Sequence, residues 1–183
     1  MACAIDSGRL DFSCKTSKGG LKALYILSAY NADLKDQVGI VAGEITTVTP
    51  PADVFKFELV DDANTFVESN EVSRANGTSV YTPTGTFVLK KQDLASQEAL
   101  TNLSNMRAQV IIEDHNGTFR LVGLENGVDF TVGTQTGGAW ADLNGYNLAF
   151  TGQEPALATY IDPTIIGIAG TGFDVSTVTV DPT

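Results

Sequence analysis

The sequence predicts a mainly β protein, antiparallel in its pairing, with a single flanking helix. Three observations carry that expectation. From Gln109 to Glu154, short segments alternate apolar and polar residues with a period of two, the pattern of a sheet with one face on a core and the other in water. Asn116-Gly117, Asn126-Gly127 and Asn144-Gly145 punctuate those segments, and Asn-Gly tolerates the positive φ that tight hairpin turns require. Only one stretch, 93–107, repeats its apolar residues at helical spacing.

Taken in order, residues 1–20 are polar and read as an arm that ends at Gly19-Gly20. The apolar run Leu21–Leu27 is of strand length, and Tyr25 and Ile26 favour extended structure. A polar loop follows over Asn31–Gln37. Val38–Val48, β-branched and interrupted by glycine, reads as a short strand pair or a bulged strand, and Pro50-Pro51 closes it. Val54–Val60 alternates well and is a strand. Residues 61–86 look like a long excursion, a loose hairpin turning near Asn76-Gly77, and loops of that length are usually functional or assembly elements. Phe87–Lys90 returns as a strand. Asp93 is a suitable N-cap for the helix 93–107, whose stripe is Leu94, Ala99, Leu100, Leu103 and Met106.

The core stretch 109–154 reads as one sheet of four consecutive strands. Gln109–Glu113 and Thr118–Val122 pair through a two-residue type I′ turn at Asn116-Gly117; Val128–Val132 and Tyr146–Thr151 follow. Val110, Ile112, Phe119, Leu121, Val128, Phe130, Val132, Tyr146, Leu148 and Phe150 fall on one expected face. Gln109, Glu113, Thr118, Arg120, Asp129, Thr131, Asn147 and Thr151 fall on the other. Residues 162–183 carry the β-branched runs Ile165–Ile168 and Val175–Val180, expected as late edge strands or as an arm that pairs with a neighbour.

With 183 residues, 43% hydrophobic and 18% charged, the chain is long enough for one ordinary domain with its own core. Its net charge is −11, and every Lys and Arg lies at or before Arg120. That distribution argues against ordinary nucleic-acid recognition, where phosphates need clustered cations. No apolar run is long enough to span a bilayer, and no basic-then-apolar leader opens the sequence, so no signal peptide is expected. Cys3 and Cys14 read as small buried thiols sooner than as a disulfide or a metal pair.

Signatures of catalysis are absent. His115 is the single histidine and sits in a turn, which leaves no Ser-His-Asp arrangement and no base beside either cysteine. Asp61-Asp62 and Glu113-Asp114 lack the spacing of a calcium loop. The stretch Gly133–Gly138 has no lysine and precedes no helix, unlike a phosphate cradle. Asn76-Gly-Thr78 and Asn116-Gly-Thr118 match the glycosylation sequon only by chance if the chain is not secreted. The expectation is no enzyme, no cofactor and no metal.

The segment Val110-Ile-Ile-Glu-Asp-His-Asn-Gly-Thr-Phe-Arg-Leu-Val-Gly-Leu-Glu-Asn-Gly127, with its continuation from Gly137-Gly-Ala-Trp140 through Asp142-Leu-Asn-Gly-Tyr146 to Gly152-Gln-Glu154, resembles the tail tube proteins of tailed bacteriophages. The helix just before the hairpin and Gly19-Gly-Leu-Lys-Ala-Leu-Tyr25 are similar too. The resemblance covers about half of the chain closely and rests on fold and turn motifs. It implies a β-sandwich or half-barrel with one flanking helix, in virion tails assembled in the host cytoplasm. Six copies would form a ring whose inner sheets join into a β-barrel, and stacked rings would conduct DNA during ejection. Partners would be the chain itself and other tail, neck or baseplate proteins, with passing DNA and no membrane. On that reading Glu113, Arg120, Asp129, Thr131 and Asn147 line an acidic lumen. Phe66, Val67, Val72, Val80, Tyr81, Ile165, Ile166 and Val178 lie between subunits or rings. Two alternatives stay open: a tail terminator, connector or baseplate ring, and a capsid-decoration or binding β-sandwich, which clustered exposed aromatics would favour; only Trp140 and Tyr146 lie near one another, and Trp140 is expected as a core or interface residue.

Overall fold

Among the described residues, thirteen strands divide between two sheets, and the mainly β expectation holds. The computed structural model describes residues 8, 16–59, 63–167 and 172–176. In chain order they form β1 (Leu21–Leu27), α1 (Leu34–Gln37), β2 (Val38–Val41), β3 (Glu44–Val48), β4 (Ala52–Glu58), β5 (Thr65–Ser73) and β6 (Thr78–Lys90). There follow α2 (Leu94–Asn105), β7 (Arg107–Ala108), β8 (Val110–Asp114), β9 (Phe119–Val122), β10 (Val128–Gln135), β11 (Gly145–Gly152), β12 (Thr159–Ile161) and β13 (Phe173–Ser176).

The first sheet has the order β13-β4-β1-β8-β9-β12-β3-β2 and curls into a half-barrel. Its inner face gathers one apolar cluster that includes Tyr25, Val54, Ile111, Leu121, Ile45 and Phe173, plugged by Leu34 of α1. The other face of β1 and β8, through Leu24, Ile26, Val110 and Ile112, packs against Phe87, Phe130, Leu148 and Phe150 of the second sheet and Leu100 and Leu103 of α2. Both faces of β1 and β8 are therefore covered. That is why Leu21–Leu27 and Val110–Ile112 read as near-continuous apolar runs with no clean alternation. The second sheet has the order β5-β6-β11-β10-β7 and keeps one face open, so its alternation is strict.

One expectation fails here. Residues 109–154 do not form a single sheet, because β8 and β9 belong to the first sheet while β10 and β11 belong to the second. Gly123-Leu-Glu-Asn-Gly127 carries the chain across as an inter-sheet crossing, not a hairpin. Gly123 has φ 78°, and a Cβ there would lie 2.9 Å from Cα of Gly127, so the crossing is too tight for a side chain. The β8–β9 turn also differs from type I′. Only Gly117 takes positive φ, and the Asp114 carboxylate accepts N–H groups from Asn116 and Thr118, each at 2.8 Å. The acidic side chain thus organises a longer Asx-type turn.

The excursion over 61–86 is more regular than expected: β5 and β6 pair continuously from Thr65↔Thr86 to Ser73↔Thr78, turning at Asn76-Gly77. Val38–Val48 is a strand pair, the first of the two alternatives, and the loop over Asn31–Gln37 contains α1. Asp93 caps α2, its carboxylate accepting the Ser96 N–H at 2.8 Å and the Ser96 hydroxyl at 2.7 Å. Ile165 closes a 3-10 turn, Pro163–Ile165, because Asp162 accepts the Thr164 N–H and starts a turn instead of a strand. β13 pairs in parallel with β4 of its own sheet, so the described part of 173–176 is an edge strand and not an arm. Cys3, Cys14, Val178 and most of the N-terminal arm lie outside the described residues.

Close packing between the sheets makes Gly85 sensitive. A Cβ there would meet the Phe150 ring at 2.6 Å and the Phe87 ring at 2.7 Å. Gly85→Ala is expected to destabilise the fold by about 1–3 kcal/mol through overpacking. A denaturant titration should show a lower midpoint with an unchanged slope.

Candidate functional site

The second sheet presents one solvent face, and its register sets the rows of side chains on it. Thr65, Thr86, Ala149 and Thr131 form one row across β5, β6, β11 and β10. Val67, Thr84, Thr151 and Asp129 form the next, and Val88, Asn147 and Gly133 lie on the other side of the first. The polar groups bond to one another and to the sheet. The Thr65 and Thr86 hydroxyls meet at 2.7 Å, Asn147 donates to Gln135 Oε1 at 3.0 Å, and Thr84 donates to the Val67 carbonyl at 3.2 Å. Asp129 is the acid among these rows, and Lys90 stands at the far end opposite Gly145. The result is a wall of mostly small polar side chains, with Val67 and Val88 among them, whose charged members are Asp129, Lys90 and, toward the hairpin tip, Glu71.

Among the described residues, no strand runs along the whole of either edge of this sheet. β5 offers nine residues with no described strand beyond it. On the other side β7 pairs only with Val128 and Asp129, leaving Phe130–Gln135 without a described neighbouring strand. The β5–β6 hairpin also outruns its support, since β11 pairs with β6 only as far as Thr84. Beyond that point Tyr81 exchanges backbone hydrogen bonds with Glu154, and Glu68 accepts the Ala158 N–H at 2.8 Å. At the opposite end of the sheet, the β10–β11 loop carries Trp140 wholly in solvent. The loop is held by Asp142, whose carboxylate accepts the N–H groups of Gly138 and Ala139; these bonds, that to Ala139 foremost, keep its carboxyl below the usual range.

The structure divides the residues expected to line a lumen. Asp129, Thr131 and Asn147 share the open face just described. Glu113 does not, because β8 is covered on both sides. Its carboxylate is buried against the half-barrel, accepting the Tyr25 hydroxyl at 2.8 Å and Lys22 Nζ at 2.5 Å. Burial first, then that bond, pushes the Tyr25 phenol well above its ordinary range, and the same carboxylate raises Lys22. Arg120 lies on β9 in the first sheet with its guanidinium 5.1 Å from the Tyr160 ring centre. Glu113 and Asp129 therefore do not share a face: Glu113 is buried at the half-barrel and Asp129 lies on the open face of the second sheet.

Of the residues expected between subunits, Val67 and Val72 are well exposed and Val80 and Tyr81 half-buried, all on the β5–β6 hairpin. Phe66 instead packs against Phe150, with ring centres 6.2 Å apart. Ile165 and Ile166 are half-buried and pack against the half-barrel cluster.

The burial of Gln109, expected in water, and of Glu154 and Asn64 escaped the sequence reading. Gln109, fully buried, accepts the Asn31 N–H and donates to the carbonyls of Asn31 and Leu124. Glu154 accepts the N–H groups of Asn126 at 2.8 Å and Glu125 at 3.2 Å, tying the inter-sheet crossing to the end of β11. Burial pushes the Glu154 carboxyl above its usual range against the pull of those N–H donors. The Gly-Leu-x-Asn-Gly and Gly-x-Glu motifs are thus the two halves of one contact. No group of His, Cys, Asp or Glu among the described residues has the arrangement to hold a metal. No family model matches the sequence, and no curated protein or solved structure does so either.

Two substitutions test this geometry. Glu113→Lys sets a second ammonium beside Lys22 in a buried position and should cost about 3–5 kcal/mol, read as loss of the folded signal or a large fall in melting temperature. Glu154→Gln leaves one N–H facing an amide NH2 and should cost about 1–3 kcal/mol. The raised acid pKa means that wild-type stability declines as pH rises from about 4.5. The stability gap between wild type and Glu154→Gln should therefore be widest near pH 4 and narrow toward neutrality in paired thermal melts.

Proposed function

We propose that this chain is a structural subunit that closes into rings through its second sheet, the rings stacking into a tube that passes DNA, as in the tails of tailed bacteriophages. The observation that carries the reading is a four-strand sheet, β5-β6-β11-β10, open among the described residues at two different edges and faced mostly by small polar side chains with no cluster of cations. Its strands alternate in direction, so β5 and β10 run oppositely. Copies related by rotation can then join β5 to β10 in antiparallel register without any strand reversing. Joining two unlike edges is a heterologous contact, which makes a ring when the rotation closes, and closure removes exposed edges.

The open face becomes the inner wall of that ring. A wall without clustered Lys or Arg gives phosphates nothing to hold, and the chain's overall charge of −11 repels them at longer range. Hydroxyls already bonded to one another and to the backbone have little left to offer a passing strand. A binding β-sandwich is the second reading, and the wholly exposed Trp140 on its braced loop is what favours it.

Negative-stain electron microscopy at rising concentration separates the two. Rings and hollow tubes are expected; monomers at every concentration would move the weight to the binding module. The wall is tested by Thr86→Lys with Thr131→Lys. Tubes should still form but now retain duplex DNA, with a log–log salt slope of about −0.9 for each phosphate that the new lysines neutralise. Intact tubes that still ignore DNA would place this face away from the lumen.

A further inference from the structure

β13 covers only the first part of the β4 edge. Its parallel ladder runs from Phe173↔Ala52 to Ser176↔Phe55, whereas β4 continues to Glu58. Bonds already made fix which way each β4 peptide points. Ala52 donates its N–H to the Gly172 carbonyl, on the β13 side. The Asp53 carbonyl and the Leu59 N–H turn the other way, to Ser28 and to the Lys22 carbonyl. Backbone groups alternate sides along a strand, so residues 52, 54, 56 and 58 all address the β13 side. Beyond Ser176 the Lys56 carbonyl and both backbone groups of Glu58 therefore face a side where no described strand runs. An edge of that kind is a template for pairing with another chain.

The sequence after Ser176 is Thr177-Val-Thr-Val180, four β-branched residues of high strand preference. Carrying the ladder on in its own register sets Thr177 beside Lys56, Val178 beside Phe57, Thr179 beside Glu58 and Val180 beside Leu59. Register partners share a face, as Val54 and Val175 do in the half-barrel cluster. Phe57 and Leu59 belong to the apolar layer between the sheets. Phe55 and Phe57 also border a groove of about 570 Å³ between β4 and α2, along with Leu89, Lys90 and Lys91. The two valines thus fall on the apolar side. The two threonines fall with Lys56 and Glu58, whose ion pair spans 2.9 Å. A slip of one residue would set threonine against Phe57 and valine against that ion pair, so the pattern selects one register.

We propose that residues 177–180 of the same copy continue β13 along β4 and seal the β4 edge of the first sheet. The segment leaves Ser176 already in register, so no loop has to be closed to bring it there. Val178 donates its N–H to the Lys56 carbonyl and accepts the Glu58 N–H, and Val180 donates to the Glu58 carbonyl. Thr177 and Thr179 direct their N–H groups away from β4. The consequence is selectivity in self-association. An edge sealed from within cannot pair with another copy, so β4 does not compete with β5 and β10 as a place for copies to join. The contact stands whether or not rings form.

The test is amide hydrogen exchange on the full chain, followed residue by residue by NMR. Val178→Pro puts its ring where the N–H met the Lys56 carbonyl, and the Glu58 amide should then exchange roughly tenfold or more faster than in wild type. Thr179→Pro removes only an outward N–H, which an edge strand tolerates, and should leave Glu58 protected. The Leu59 amide, bonded to the Lys22 carbonyl, should stay protected in all three proteins and reports that the sheet is kept. An unprotected Glu58 amide in wild type would overturn the proposal without any variant. Equal loss of protection from the two prolines would overturn the register. Protection of Glu58 that disappears on dilution would assign the strand to a second copy and overturn its origin in the same chain.

Discussion

The carboxylate of Glu154 ties the crossing between the two sheets to the end of β11. It accepts backbone N–H groups of Glu125 and Asn126 just where the chain leaves β9 for β10, and its own backbone pairs with Tyr81 of β6. One residue therefore ties together the crossing, the end of β11 and the base of the overhanging hairpin. Lys35 adds an ion pair to Glu125 on the same loop, and Asn126 donates to the Gln153 carbonyl. A charge held in this way is costly to bury, and the N–H donors offset part of that cost. Without it two backbone N–H groups of the crossing would lose their acceptor.

Much of this is legible in the sequence, and the failures have a common cause. Period-two alternation locates β10 and β11 because the second sheet really does have one wet face, and Asp93 announces α2 because capping is local chemistry. The same alternation misleads at β8 and β9. There it assigns Glu113 and Gln109 to water because polar residues usually go there, while the curled sheet covers both sides of the strand and satisfies each by partners far away in sequence: Lys22 and Tyr25 for one, Asn31 and Leu124 for the other. A local pattern cannot report that a neighbouring strand with the right partners will arrive from residues about ninety positions earlier. The turns that lead to and from β9 fail for a related reason: Asn-Gly marks where a chain turns, not which sheet it enters next.

The candidate site is half legible. Asp129, Thr131 and Asn147 can be grouped because they share a hairpin whose pairing is set by neighbouring segments. Their companions on the wall, Thr65, Thr84 and Thr86, come from a hairpin that the sequence shows only as an irregular excursion. Threonine favours strands without advertising a buried face, so a ribbon rich in Thr, Ser and Asn gives a weak signal despite its regular ladder. That weakness and the polar character of the wall have the same origin, since both follow from side chains that are mostly polar and small.

The two ends of the second sheet differ in kind. One has the groove, the lysines and Trp140, and the other the bare hairpin. Any linear array made by joining such unlike ends has a polarity, in the sense that a row of arrows has one. Its two termini then pose different problems to whatever starts it and whatever stops it: an initiating surface would have to imitate one end, and a terminating one would have to occupy the other. Length control in such an assembly can act at a single tip, with no change to the subunits between.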